Sequence, residues 1–83
     1  MNFQVIVHGS MWAVANGKAI ELAERDNGVL LHPFEGQDTW EGHASLVHEL
    51  KHEMPEKPDA IVASVGGGGL VIGILQGMST ESL

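Results

Sequence analysis

Residues 60–75, AIVASVGGGGLVIGIL, decide the predicted fold of this chain. The first six contain no charged residue and are typical of a strand covered on both faces, as in parallel sheets. Four consecutive glycines, residues 66–69, then interrupt the run. The apolar residues from Leu70 to Leu75 predict a helix that is buried on all sides. A strand, a glycine loop and a buried helix in this order predict an α/β protein.

The same alternation extends towards the N-terminus. Residues 3–7 and 29–32 are short apolar runs that predict two further strands. A helix capped by Ser10 and ended just before Gly28 is predicted between them, and a second helix is predicted over residues 40–54. The resulting βαβαβα order predicts a parallel sheet with right-handed crossovers. Three strands leave large apolar faces uncovered, so we expect this α/β slice to be incomplete on its own.

Length and charge exclude several classes of protein. With 83 residues the chain forms one domain at most, and it has no Cys for a disulfide framework or a thiolate metal site. Four Lys and Arg against eleven Asp and Glu give a net charge of −7, without a basic cluster. We therefore expect no nucleic acid and no membrane surface as a partner. The first residues lack the positive region of a signal peptide, and we expect a cytoplasmic location.

One segment imitates a membrane span. Residues 60–78 contain no charge, and Gly69, Gly73 and Gly77 have the spacing of small residues at packed transmembrane helices. The four glycines, however, would unravel the middle of the span and leave backbone amides unpaired in lipid. A strand, a loop and a helix account for the segment better.

The glycine run is the strongest candidate for a binding site. Backbone amides of a glycine loop at a helix N-terminus converge on one point and attract an anion. The Walker A motif does not fit, because no Gly-Lys-Ser/Thr follows, and G-x-G-x-x-G fails at Val71 and Ile72. A flexible turn or linker is the alternative, although linkers rarely join two strongly apolar segments directly.

A second pattern matches the zinc-metalloprotease signature H-E-x-x-H. It consists of His48, Glu49 and His52, and the spacing places both imidazoles on one helix face. That face lies nearly opposite the apolar stripe of the helix, so we expect the pair to point to solvent. A catalytic zinc also needs a third ligand in a walled cleft. An incidental exposed histidine pair explains the pattern better than a metal site.

The remaining candidates have structural explanations. His8 and His32 each end a predicted strand, where a structural cap is a better explanation than a site. His43 lies on the apolar side of its helix, as a hydrogen-bonded core histidine would. We expect Trp40 and Phe34 to anchor the loop before the second helix.

Motifs that carry a family resemblance run in order over nearly the whole chain. They are His8-Gly9, Trp12, Ala15-Asn16, Ala19, Glu21-Leu22-Ala23, His32-Pro33-Phe34, Trp40-Glu41-Gly42-His43-Ala44-Ser45, Lys57-Pro58-Asp59-Ala60-Ile61, and Ser64-Val65 with the four glycines and Leu70. In these motifs the chain resembles the catabolic L-serine dehydratase / L-threonine deaminase family. Its members are pyridoxal-phosphate (PLP) enzymes of fold type II, the tryptophan-synthase-β-like fold. The resemblance covers only a central slice of a full-length member.

The resemblance implies PLP as the cofactor and assigns a role to the glycines. In the family a glycine-rich loop holds the cofactor phosphate through backbone amides. This role carries over to Gly66, Gly67, Gly68 and Gly69. The resemblance also implies that residues 1–31 end the small domain, that residues 32–83 belong to the large PLP-binding domain, and that the full-length protein is a homodimer with an amino-acid substrate.

The reacting groups of the family have no counterpart here. These are the Schiff-base Lys in a Ser/Phe-Lys motif, the Ser-Gly-Asn loop for the substrate carboxylate, and a Ser or Cys at the pyridine nitrogen. Lys18, Lys51 and Lys57 lie in other contexts. We therefore assign no catalytic residue and no metal ligand to this chain.

The function that we expect is that of a slice of a PLP-dependent ammonia-lyase. The complete enzyme would convert L-serine to pyruvate and ammonia, and L-threonine to 2-oxobutanoate and ammonia. We expect the chain alone to be inactive. Two alternatives remain open: a small non-catalytic phosphate- or PLP-binding module, and a zinc metallopeptidase built on His48 and His52.

Overall fold

The computed structural model describes residues 2–83 and contains three α-helices in that part of the chain. They are α1 (Trp12–Arg25), α2 (Gln37–Glu53) and α3 (Gly69–Glu81). The chain divides into a first unit, Met1–Leu30, which contains α1, and a second unit, Leu31–Leu83, which contains α2 and α3.

The predicted parallel βαβαβα sheet is wrong, because residues 2–83 contain no β-strand. The apolar runs at residues 3–7, 29–32 and 60–65 are neither helix nor paired strand. Val7 is 92% exposed and Val62 is 93% exposed, so these runs are not covered on both faces. A β-branched run favours a strand, but the strand forms only where a neighbour supplies backbone hydrogen-bond partners. Hydrophobicity alone does not determine whether such a run is buried.

Helix α1 forms the first unit together with its flanking residues. It begins after Met11, whose backbone is extended, and no side chain caps it, so the predicted Ser10 cap is wrong. Its predicted end is confirmed, since the Gly28 amide donates to the Ala23 carbonyl at 2.7 Å beyond the last turn. Just after the helix, a hydrogen bond from the Arg25 guanidinium lowers the pKa of the Asp26 carboxyl.

Helices α2 and α3 pack along each other in the second unit. Val47 on α2 and Ile74 on α3 are its buried hydrophobic side chains, at 0% and 5% exposure. The contact face of α3 is a stripe of buried glycines, and these are Gly69, Gly73 and Gly77. A β-carbon on Gly77 would lie 2.9 Å from the Ala44 carbonyl oxygen, so the stripe brings the two helix backbones close together.

The same stripe explains the spacing that resembled a transmembrane motif. In residues 2–83 no helix is long and apolar enough to cross a bilayer. The small residues serve helix packing within the second unit instead. The prediction that α3 is buried on all sides is wrong: its glycine face and Ile74 are buried, but Leu75 on another face is 59% exposed.

A polar cluster joins the C-terminal ends of α2 and α3. The Glu81 carboxylate, whose side chain is 12% exposed, pairs with Nδ1 of His48 and with Nζ of Lys51, the latter at 3.4 Å. Nζ of Lys51 also donates to the Glu81 carbonyl at 2.8 Å. We call His48, Lys51 and Glu81 the C-terminal clasp.

Candidate functional site

The four glycines lead directly into the first turn of α3. Gly68 is the N-cap residue and has left-handed backbone angles, φ 96° and ψ −4°. The Ile72 amide donates to the Gly68 carbonyl at 3.0 Å, the first hydrogen bond of the helix. No side chain caps this end. The amides of the first turn therefore point out of the helix without intrahelical acceptors.

Phe34 lies against two of the glycines. A β-carbon on Gly67 would overlap the Phe34 ring, and a β-carbon on Gly69 would lie 2.7 Å from the Phe34 Cα and 3.0 Å from its carbonyl oxygen. Such distances cannot be accommodated by a rigid backbone. Glycine at these two positions allows residue 34 to form a wall beside the loop.

The wall itself is a turn closed by side chains. Nδ1 of His32 accepts hydrogen bonds from the amides of Phe34 and Glu35, at 3.2 Å and 3.0 Å. The Trp40 indole donates to the Phe34 carbonyl at 3.0 Å, and the Thr39 hydroxyl donates to the His32 carbonyl at 2.9 Å. The prediction that Trp40 and Phe34 anchor this segment is confirmed, as is the structural role of the His32 side chain.

Gly66 differs from Gly67 and Gly69 because a β-carbon on it would not contact Phe34. Nothing lies within 4 Å of the position that its β-carbon would take, and the residue is exposed. The loop thus has a walled side, at Gly67 and Gly69, and an open side at Gly66. Exposed amides, missing β-carbons and the positive end of a helix dipole are the features that accommodate a phosphate group.

The histidine pair of the H-E-x-x-H pattern acquires no third metal ligand within residues 2–83. The rings of His48 and His52 lie edge to face, with centroids 5.6 Å apart. Nδ1 of His48 faces Glu81 of the C-terminal clasp. Within residues 2–83 no group of three His, Cys, Asp or Glu side chains could hold a metal ion. As expected, the His48 side chain is largely exposed, at 63%.

The lysines of the chain have structural partners or lie in solvent. Lys18 pairs with Glu21 of α1 at 3.6 Å. Lys51 contacts Glu81 at the end of α3 opposite to the glycines, about 20 Å along a helix of this length. Lys57 is exposed in the connector between α2 and the glycine loop.

Sequence reasoning assigned the four glycines but missed the wall that supports them. The contact between Phe34 and Gly69 joins residues 35 positions apart, and no periodicity or spacing signals it. The sequence marks this turn through the motif His32-Pro33-Phe34 of the family resemblance and through the expected anchors Phe34 and Trp40, but neither signal places the turn beside the glycines. Its role in shaping the loop follows from the structure.

Comparison with known proteins identifies the family. The family model described as "Pyridoxal-phosphate dependent enzyme" matches residues 1–82. The chain belongs to the pyridoxal-phosphate dependent enzyme family. It is 48% identical over 80 residues to an L-serine dehydratase of Dictyostelium discoideum, covering 89% of the chain and 23% of that relative.

Two further relatives agree with this assignment. A serine dehydratase-like protein of Mus musculus is 49% identical over 75 residues, which are 90% of the chain and 23% of the relative. An L-serine dehydratase/L-threonine deaminase of Bos taurus is 50% identical over 62 residues, which are 74% of the chain and 19% of the relative. The resemblance to this family of PLP enzymes is confirmed. The chain spans less than a quarter of the length of these curated relatives.

Proposed function

We propose that the chain supplies the phosphate-binding part of a PLP-dependent lyase that acts on L-serine or L-threonine. The complete enzyme would form pyruvate or 2-oxobutanoate, with release of ammonia. The observation that carries this proposal is the walled glycine loop at the N-terminus of α3, in a chain of the pyridoxal-phosphate dependent enzyme family. Several relatives named for serine dehydratase or threonine deaminase activity support the substrate class.

In this proposal the loop binds the cofactor phosphate through backbone amides. Gly66, Gly67, Gly68 and Gly69 present their N–H groups where no β-carbon obstructs a phosphate, and the dipole of α3 favours the negative charge. When bound, PLP supplies the electron sink that makes the α-proton of an amino acid acidic. The contribution of this chain is binding and orientation of that group.

The chain carries no group that we propose for proton transfer or covalent attachment. Lys51 is engaged with Glu81 far from the loop, and Lys57 is exposed in the connector. Glu35, which follows Phe34 in the sequence, is exposed. The activity of the complete enzyme therefore requires residues beyond those that the chain provides.

The domain assignment belongs to the same proposal. We assign residues 1–31 to the end of a small domain and residues 32–83 to the large PLP-binding domain. A division of contacts after Leu30 supports this boundary, as does the turn that begins at His32 and faces the glycines. We further propose that the full-length enzyme is a cytoplasmic homodimer, which cell fractionation and sedimentation equilibrium would test.

The test compares two ligands that differ only by a phosphate group. Pyridoxamine 5'-phosphate and pyridoxamine lack the aldehyde that reacts with surface lysines, so binding reports the site rather than chemical modification. Titration of the ¹⁵N-labelled chain, with trimethylamine N-oxide to favour the compact state, should shift the amide resonances of residues 66–71 with the phosphorylated ligand only.

Gly66→Ala supplies the matched variant. Its β-carbon meets nothing in the protein but occupies the open side of the loop, so it should weaken phosphate binding about tenfold at unchanged helix content. Gly42→Ala, also free of neighbours within 4 Å, is the control on α2. Equal affinity for both ligands, or equal affinity of Gly66→Ala and the unmodified chain, would contradict the proposed site.

A further inference from the structure

The turn formed by residues 32–35 is attached to the glycine loop but does not belong to it. We propose that His32 is a positioning residue for the phosphate site, because its unprotonated Nδ1 folds the turn that fixes Phe34 against Gly67 and Gly69. This inference rests on the proposed function of the loop and assigns part of its binding affinity to a side chain outside it.

The His32 imidazole is a hydrogen-bond acceptor within the turn. Nδ1 of His32 accepts from two amides, those of Phe34 at 3.2 Å and Glu35 at 3.0 Å. Both bonds require a lone pair on Nδ1, which assigns the ring proton to Nε2. Pro33, which lies between His32 and Phe34, has no N–H and a fixed φ. The amides of Phe34 and Glu35 are therefore the next ones available to the ring. The imidazole thereby acts as the acceptor that closes the turn.

Hydrogen bonds from two side chains of α2 attach the turn to that helix. The Thr39 hydroxyl donates to the His32 carbonyl at 2.9 Å, and the Trp40 indole donates to the Phe34 carbonyl at 3.0 Å. The His32 and Phe34 rings meet edge to face, with centroids 4.4 Å apart. Side chains of the first turn of α2 therefore donate hydrogen bonds to the carbonyls of His32 and Phe34. The His32 imidazole accepts hydrogen bonds from the amides of the same turn.

The turn formed by residues 32–35 contacts the glycine loop through Phe34. The Cα and carbonyl of Phe34 lie so close to Gly69 that a β-carbon there would be within 2.7 Å and 3.0 Å of them. A run of four glycines has more backbone freedom than any other sequence of that length. A fixed wall on one side reduces the conformations that the loop samples. Ligand affinity rises in proportion to the fraction of chains in the binding conformation.

The experiment compares His32→Ala with His32→Asn in the 83-residue chain, with pyridoxamine 5'-phosphate as the probe. The Asn Oδ1 stands at the position of Nδ1 and accepts the same type of turn-closing amide bond. We expect His32→Ala to raise the Kd about fivefold, because both turn amides lose their acceptor, and His32→Asn to stay within about twofold of the unmodified chain. His52→Ala, exposed in the last turn of α2, is the control.

A readout without ligand accompanies the titration. In His32→Ala the amide resonances of Phe34, Glu35, Gly67 and Gly69 should shift, whereas in His32→Asn those of Gly67 and Gly69 should keep their positions. A His32→Ala chain that binds the probe as tightly as the unmodified chain overturns the inference. So does an equal loss of affinity in both variants with the spectrum of α2 and α3 intact.

Failure of the proposed function gives a different result. If the unmodified chain does not bind the probe, or if Gly66→Ala does not weaken binding, the phosphate site is absent and the inference falls with it. If the unmodified chain binds and Gly66→Ala weakens binding, the site stands, and the two His32 variants alone decide. Should His32→Ala lose its helices, His32→Asn decides: a Kd raised fivefold or more with intact helices overturns the inference.

Discussion

Gly73 of α3 lies against the backbone of Trp40 in α2, so that a β-carbon on Gly73 would come within 2.8 Å of the Trp40 carbonyl oxygen. The same β-carbon would also overlap the Cβ of His43. This contact lies midway along the glycine stripe, between the glycine loop and the C-terminal clasp. It sets the separation of α2 and α3, and with it the distance from the wall on Phe34 to the start of α3.

Gly73→Ala should destabilise the second unit by about 1–3 kcal/mol, because the added methyl group forces two packed backbones apart. The measurement is the urea dependence of helix ellipticity at 222 nm, with trimethylamine N-oxide present. Gly42→Ala is the matched control: it lies on α2 with nothing within 4 Å and should stabilise by about 0.5–1 kcal/mol through helix propensity. Equal shifts in both variants would show that the stripe is not in contact.

A smaller residue at position 34 should restore the stability that Gly67→Ala loses, but it should not restore the stability that Gly69→Ala loses. The β-carbon at 67 meets the Phe34 ring, but the β-carbon at 69 meets the Phe34 backbone, which every residue retains. A double-mutant cycle with Phe34→Ala should give a coupling of about 1 kcal/mol or more for position 67 and a smaller one for position 69. Equal couplings would contradict this geometry.

Glu81→Gln should lower stability by less than about 1 kcal/mol, because its partners His48 and Lys51 are 63% and 47% exposed. The difference between the variant and the unmodified chain should shrink further in about 1 M salt, where the Debye length is about 3 Å. Lys51→Ala should cost more than Glu81→Gln, since it also removes the hydrogen bond to the Glu81 carbonyl. A Glu81→Gln effect that persists in salt would indicate a buried pair.

The purified chain with added PLP should form no pyruvate from L-serine above a protein-free control. Lys51, one of the two lysines of the second unit, is held at the end of α3 opposite to the glycines, and the chain offers no side chain that we assign to the reaction. Coupled oxidation of NADH by lactate dehydrogenase measures pyruvate directly. Turnover that disappears in Gly66→Ala would mean that the chain is catalytic after all.

The helices of this chain could be predicted from its sequence, but the absence of a sheet in residues 2–83 could not. Leu46, Val47, Leu50 and Met54 recur at helical spacing, and α2 indeed spans Gln37–Glu53. Helical hydrogen bonds are local, so such a pattern needs no distant partner. A strand depends on neighbours that sequence does not identify. Val62 follows a pattern that predicts burial, yet it is 93% exposed in the part of the chain that the structure describes.

The candidate site was predictable to a similar degree. A glycine run before an apolar helix marks the loop directly, because only one residue type combines left-handed angles with a missing β-carbon. The partners of the loop were not marked. Phe34 reaches the glycines only through the packing of α2 and α3, which rests on Gly73 and Gly77. His32 acts on the loop indirectly, through its local hydrogen bonds to the turn that contains Phe34. The spacing of Gly73 and Gly77 imitates that of packed transmembrane helices, because small residues allow close helix packing in lipid and in water alike.

Gly68 has a consequence for the stereochemistry of the chain. Its backbone angles, φ 96° and ψ −4°, are the mirror image of the angles that ordinary L-residues adopt at position i+2, the third residue, of a type I turn. A D-amino acid therefore fits the backbone here, whereas L-alanine would be strained. Chemical synthesis could place D-alanine at position 68 and L-alanine in a companion chain of identical composition. The two products would differ only in the chirality of one carbon, and we expect the D-form alone to retain the start of α3.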